Sequence, residues 1–250
     1  MIGEPFRRYR LEIEYAGGPF AGWQRQDNAL SVQQVIEDAA RVFSPGQVHC
    51  YGAGRTDAGV HAIAMTAHLD IRKEMEPFAL MNALNALVRP HPVAILSTER
   101  VTPDFHARFS ATARHYLYRI VNRRAPPALD AGLAWHIPYP LDAEAMATAA
   151  QVLVGRHDFT TFRSAHCQSK SPVKTLTAIR VACDDDDIRL HLEAPSFLHN
   201  QVRSIVGTLE RVGANRWTVD DVEQALLACD RSRCGPVAPA HGLYFVKAVY

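Results

Sequence analysis

The residues best placed to do chemistry lie at Gly54-Arg55-Thr56-Asp57-Ala58-Gly59-Val60-His61. A carboxylate, a guanidinium and two glycines share one short turn between apolar segments. Glycine lets backbone approach a ligand closely or take positive φ. A nucleophilic carboxylate must be ionised, fixed and close to its electrophile. Arg55, two residues from Asp57, would help with the first two or bind a phosphate. Two readings of Asp57 stand side by side: a nucleophile, or a turn residue bonded to nearby backbone N–H groups.

Two further segments carry polar groups of interest. In Arg114-His115-Tyr116-Leu117-Tyr118-Arg119, a regular strand puts Arg114, Tyr116, Tyr118 and Ile120 on one face. Tyrosines at i and i+2 fill a core, or beside arginines they stack on an unstacked base. In Phe197-Leu198-His199-Asn200-Gln201-Val202-Arg203, Arg203 sits within an otherwise apolar helix. It calls for a carboxylate partner such as Asp57, or for a route outward to water. His61 and His68 lack the i, i+4 spacing of a helical metal site, and no dinucleotide fingerprint or phosphate-binding glycine loop is present.

Composition sets the frame. The chain has 250 residues, 48% hydrophobic and 21% charged, with a net charge of +1. This suits one large or two small globular domains. No apolar run is long enough to span a bilayer. The stretch Met1 to Arg8 lacks the apolar core of a signal peptide. The five cysteines are scattered, with no Cys-x-x-Cys pair. These features predict a reduced, cytoplasmic setting without structural zinc. Arg108, Arg114, Arg119, Arg123 and Arg124 cluster with His106 and His115, whereas Asp184 to Asp187 form an acidic run elsewhere in the sequence. The basic cluster binds phosphate or is simply a solvated face.

The elements that must position these groups follow from periodicity. Leu11, Ile13 and Tyr15 alternate with charged residues, which predicts a half-buried strand over 9–15. Ser31 and Gln34 read as a capping box opening a helix that Pro45-Gly46 ends. Strands are predicted at 48–53, 62–70 and 93–97, with a helix over 76–88. In the second half, 111–121 is a strand and the proline-rich 122–141 a connecting loop. A helix over 143–154 follows. Strands 176–183 and 188–194 flank the acidic turn, and a long helix covers 197–212. Thr218 caps a helix over 219–229, and 243–250 is a final strand. Short links between neighbouring strands favour antiparallel pairing, hence an α+β fold. The two halves, divided near Pro103, share an element order.

Taken in order, several blocks carry a family likeness. They are Gly22-Trp23-Gln24-Arg25-Gln26 with Ser31-Val32-Gln33, the block from Gly54 to His61, and Asp104-Phe105-His106-Ala107-Arg108-Phe109-Ser110-Ala111. Arg114-His115-Tyr116-Leu117-Tyr118 and His157-Asp158-Phe159-Thr160-Thr161-Phe162 follow. The last are the block from Phe197 to Gly207 and Ala238-Pro239-Ala240-His241-Gly242-Leu243-Tyr244. Over nearly its whole length the chain resembles the bacterial tRNA pseudouridine synthase A family.

The resemblance implies an isomerase that converts uridine to pseudouridine at positions 38, 39 and 40 of the tRNA anticodon stem and loop. It assigns Asp57 as catalytic nucleophile and Arg55 as an RNA contact that helps expose the target nucleotide. Tyr116 packs on the target base, and Arg203 pairs with Asp57. The implied fold is α+β, with a mixed, mostly antiparallel central sheet flanked by helices. It has two related α/β halves with the active-site cleft between them. Residues 1–103 carry Asp57 and Arg55; residues 104–250 carry Tyr116 and Arg203. The implied partners are tRNA and a second copy in a homodimer, with no membrane. No metal, nucleotide or other cofactor is implied.

Two positions depart from the family pattern: Gln201, where Met is usual, and Leu87-Val88-Arg89-Pro90-His91-Pro92, where a Leu-Pro-x-Asp segment is common. Two rival functions are weighed against the resemblance. A non-catalytic RNA-binding module leaves a carboxylate among phosphate contacts unexplained. A phosphate-ester hydrolase with an Asp nucleophile would normally call for a metal site.

Overall fold

The structure, a computed structural model of the chain, describes residues 6–165 and 167–250. Residues 1–5 of the N-terminal stretch read above lie outside the described residues. The chain divides into two compact units, 1–112 with 245–250, and 113–244.

In the first unit, the alternation at residues 9–15 becomes strand β1 (Arg7–Tyr15). Tyr9, Leu11, Ile13 and Tyr15 turn inward and are almost fully buried. Ser31 caps helix α1 (Val32–Phe43) by accepting the Gln34 N–H, which satisfies a donor that a helix start leaves free. β2 (His49–Gly52) and β3 (His61–Ile71) follow, then α2 (Pro77–Leu87) and β4 (Val93–Val101). Pro77 stands in the first helical turn, where its missing N–H costs no bond. β1 lies between β4 and β3, antiparallel to both, and β2 pairs antiparallel with β3. The inward face carries the apolar side chains of β1 and of β3 (Met65, Ala67, Leu69). Val35, Ile36 and Ala40 of α1 and Leu80 and Leu84 of α2 are buried with them. The other face is polar: Arg8 lies opposite Asp70 and Arg10 opposite His68.

The second unit opens with β5 (Ala113–Asn122). The stretch expected to be a plain loop contains a short strand, β6 (Trp135–Ile137), parallel to β5. Helix α3 (Ala143–Ala150) stops earlier than predicted and tightens into a 3₁₀ turn over Gln151–Leu153. β7 (Gly155–Asp158) and β8 (Val173–Leu176) make a small antiparallel pair that periodicity does not show, because neither is long enough to alternate. β9 (Ala178–Asp184) and β10 (Asp187–Ala194) form the acidic hairpin, and β10 pairs antiparallel with β5. Helix α4 (Gln201–Gly213) begins at 201, after Asn200 turns left-handed at φ 63. The predicted start at 197 is thus corrected by one turn. α5 (Val219–Leu227) has the full reciprocal capping box between Thr218 and Asp221. β11 (Leu243–Val249) closes the chain.

The fold class is α+β, with mixed, mostly antiparallel sheet flanked by helices. Among the described residues no helix is long and apolar enough to cross a membrane.

Candidate active site

Asp57 and Arg55 lie in the connection from β2 to β3 of the first unit, and three features fix that connection. The Trp23 N–H donates to the Thr56 carbonyl (3.1 Å), and the Val60 N–H donates to the Asp57 carbonyl (3.2 Å). The Thr56 hydroxyl, 7% exposed, meets the Tyr15 hydroxyl at 2.8 Å. Thr56 is thus anchored inward, leaving Arg55 exposed and Asp57 half-buried on either side of it. Beyond the turn, His61 Nδ1 accepts the Gly17 N–H at 3.0 Å.

The segment before α1 holds the turn from the other side. Gly22 has φ 103, and a Cβ there would lie 2.5 Å from the Thr56 carbonyl oxygen. A side chain would both strain the backbone and push the turn away. Arg25 is tied to α1 by Glu37 at 3.0 Å and Asp38 at 2.5 Å. Glu37 is itself buried and also accepts the Cys50 N–H. The block from Gly22 to Gln26 therefore buttresses the Asp57 turn. In the sequence this block stands out only through the family likeness, because its clamping role rests on tertiary contacts that periodicity does not read.

Tyr116 and Arg203 lie in the second unit. Tyr116, on β5 opposite Leu192, is half-buried and meets Phe197 edge-on at 5.1 Å between centroids. Tyr118, on the same face, is fully buried and donates to the Pro239 carbonyl at 2.8 Å. Burial raises the Tyr118 phenol well above its ordinary range, so it stays a neutral donor. Core filling and ligand stacking were alternatives for this pair. Tyr118 takes the core, and Tyr116 keeps a partly open ring.

Arg203 stands in the first turn of α4, where Nε donates to the Ala238 carbonyl (2.7 Å) and Nη1 to Asn200 Oδ1 (3.1 Å). Its own carbonyl accepts the Ala238 N–H. Gly207, one turn on, lets the helix meet the 235–238 segment, since a Cβ there would overlap the Pro236 carbonyl oxygen. Gln201 is buried and accepts the Leu198 N–H at 2.8 Å. A Met there would lose that bond, so this departure changes hydrogen bonding as well as packing.

The basic and acidic runs, far apart in sequence, meet in the second unit. Arg119 bonds Asp130 (3.2 Å) and Asp187 (3.1 Å), and Arg123 bonds Asp186 (3.0 Å). These two arginines are committed to structure. Among the described residues no group of three or more His, Cys, Asp or Glu could hold a metal ion.

Residues 13–110 and 149–250 match the family model of tRNA pseudouridine synthase. The chain belongs to that family. It is similar to proteins named tRNA pseudouridine synthase A from Maricaulis maris (56% identity, covering 97% of this chain and 98% of the relative) and Rhodospirillum centenum (57%, covering 98% and 100%). A protein of the same name from Parvibaculum lavamentivorans is 57% identical, covering 97% and 99%. The matched residues include Asp57 and Arg55 in the first stretch and Arg203 in the second; Tyr116 falls between the two.

Proposed function

We propose that this chain converts uridine to pseudouridine at positions 38, 39 and 40 of the tRNA anticodon stem and loop, with Asp57 as nucleophile. Family membership makes it an isomerase acting on tRNA. The observation that supports the assignment to Asp57 is the anchored turn. Tyr15 and Trp23 bond Thr56 from inside and Gly22 leaves room for it, so the backbone that carries the Asp57 carboxylate is held in place.

The reaction breaks the bond from ribose C1′ to N1 of uracil, turns the base, and joins C1′ to C5. C5 loses a proton and N1 gains one, so substrate and product are isomers and no electrons are exchanged. A carboxylate can reach that centre only after the nucleotide leaves the stack. In this proposal exposed Arg55 holds the displaced backbone through phosphate, and the Tyr116 ring replaces lost stacking, worth roughly 1–3 kcal/mol per base. The family resemblance makes Arg203 the partner of the Asp57 carboxylate. The working form is a homodimer with one tRNA spanning both copies.

The test is to map pseudouridine at nucleotide resolution in tRNA from cells with and without the protein, and to assay purified Asp57→Ala and Asp57→Asn. Loss of pseudouridine at the three positions without the protein supports the site assignment. Turnover should fall at least a thousandfold in both variants while tRNA affinity stays within about threefold. Wild-type turnover in either variant would remove Asp57 as nucleophile. Loss of binding together with turnover would make it a binding residue.

A further inference from the structure

The block from Asp104 to Ala111 has no task in the reaction above, and the structure gives it a definite place. It lies on the polar face of the first unit's sheet. Arg8 donates to the carbonyls of Pro103 (2.6 Å) and Phe105 (2.7 Å) while Asp70 holds its guanidinium at both carboxylate oxygens (2.7 Å each). His68 Nδ1 accepts the Ala107 N–H (3.1 Å), and the Tyr250 hydroxyl donates to the Ala107 carbonyl (2.7 Å). His106 Nδ1 accepts the Arg108 N–H at 3.1 Å. The backbone is thus fixed on several sides.

What this fixed segment presents is unusual for a surface. Phe109 is 75% exposed and Tyr51, on β2, 46%. Their rings belong to one continuous strip. Phe109 lies 4.4 Å from His106 between centroids, His106 5.8 Å from Tyr51, Tyr51 6.1 Å from His49, and His49 6.1 Å from Phe6. A guanidinium stands over the ring at each end: Arg108 over Phe109 at 5.5 Å, and Arg72 over Phe6 at 5.4 Å. The strip is therefore aromatic along its length and cationic at its ends. Of the acidic groups nearby, Asp70 is paired with Arg8, and Asp104, at the start of the block, also lies close to the Arg8 charge.

Flat rings between guanidinium groups complement a chain of flat bases joined by phosphates. We propose that this strip binds tRNA outside the nucleotide being isomerised, with Phe109 and Tyr51 stacking on unpaired bases and Arg108 contacting phosphate. The proposal rests on the tRNA reading above and extends it to a second set of contacts.

The experiment titrates fluorescent tRNA transcript with full-length protein at several salt concentrations, and assays pseudouridine formation in parallel. Phe109→Ala and Tyr51→Ala should each weaken binding about fivefold or more, and the double variant more than either. Phe109→Trp should bind like wild type. Phe109→Leu should stay as weak as Phe109→Ala, because it keeps apolar bulk without a ring to stack. Arg108→Gln should lower the salt slope by about one phosphate contact. Affinity within twofold of wild type in the Tyr51→Ala/Phe109→Ala double variant overturns the proposal. So does binding restored by Phe109→Leu together with a smaller particle for Phe109→Ala in gel filtration, which marks a protein interface. The two readings fail separately. Wild type that binds tRNA but forms no pseudouridine sinks the reaction and leaves the strip to be judged by affinity. Normal conversion with unchanged double-variant affinity sinks the strip alone.

Discussion

Tyr116 and Tyr118 stand two residues apart on one face of β5, yet their surroundings give them opposite tasks. Tyr118 is enclosed, touches the indole of Trp135 edge-on, and gives its proton to Pro239. Removing its hydroxyl leaves a carbonyl without its donor, a cost of about 1–2 kcal/mol. Tyr116 is half-buried and has Phe197 on its edge. The two tyrosines therefore make a paired test. Tyr118→Phe should lower the unfolding free energy in urea by that amount with little change in turnover per folded molecule. Tyr116→Ala should leave stability within about 1 kcal/mol, as for most partly exposed positions. It should cut kcat/KM at least tenfold, and Tyr116→Phe, which keeps the ring, should recover most of it. Equal turnover of Tyr116→Ala and wild type would take Tyr116 out of the site.

Single elements show what a sequence reveals and what it withholds. Strand β1 was legible because one face meets an apolar core and the other carries charged side chains, so the chain must alternate. Helices α1 and α5 were legible from Ser31 and Thr218, whose side chains do at the helix start what their types predict. α4 begins one turn later than its apolar periodicity predicts. Phe197 and Leu198 fit a helical apolar stripe, but Asn200 takes a left-handed conformation that no periodicity encodes. β6, β7 and β8 escaped because strands of three or four residues owe their pairing to distant partners. At the candidate site, the residue types of Asp57, Arg55, Tyr116 and Arg203 were readable. The clamp from Gly22, Trp23 and Tyr15 was not, since it exists only in the tertiary contacts. Gly207 tests such a contact within α4. In an isolated helix Gly→Ala gains about 1 kcal/mol of propensity. Here the added methyl would overlap the Pro236 carbonyl, and overpacking typically costs about 1–3 kcal/mol. Gly207→Ala should therefore destabilise the protein despite its better propensity. It should also lower turnover, because the displaced segment carries the Ala238 carbonyl that holds Arg203. A variant as stable as wild type would mean that the segment yields freely.

At the scale of the whole molecule, these local environments sum to a pH dependence of stability. His68, 1% exposed, is held down to about pH 4 from an ordinary 6.5, first by burial and then by the Arg8 charge; Asp70 opposes the shift and His106 adds to it. His106, His191 and His241 are lowered too, each mainly by burial. Between about pH 6.5 and 4 the unfolded chain binds protons that the folded chain refuses. Stability therefore falls as pH drops through that window. On the alkaline side the sign reverses. Burial pushes the Cys50 thiol and the Tyr244 phenol upward, so the unfolded chain loses protons first and stability falls again above about pH 9. The resulting curve has its plateau near neutrality. His68 should carry the largest single share of the acid limb, about 2 kcal/mol between pH 7 and 4.5 at 1.4 kcal/mol per pH unit. His68→Asn keeps an acceptor near the Nδ1 position for the Ala107 N–H and removes the titrating group. Urea unfolding at pH 7 and pH 4.5 should show wild type losing more stability than His68→Asn by that difference. Equal losses in the two proteins would place the acid sensitivity in the other histidines and in the carboxylates instead.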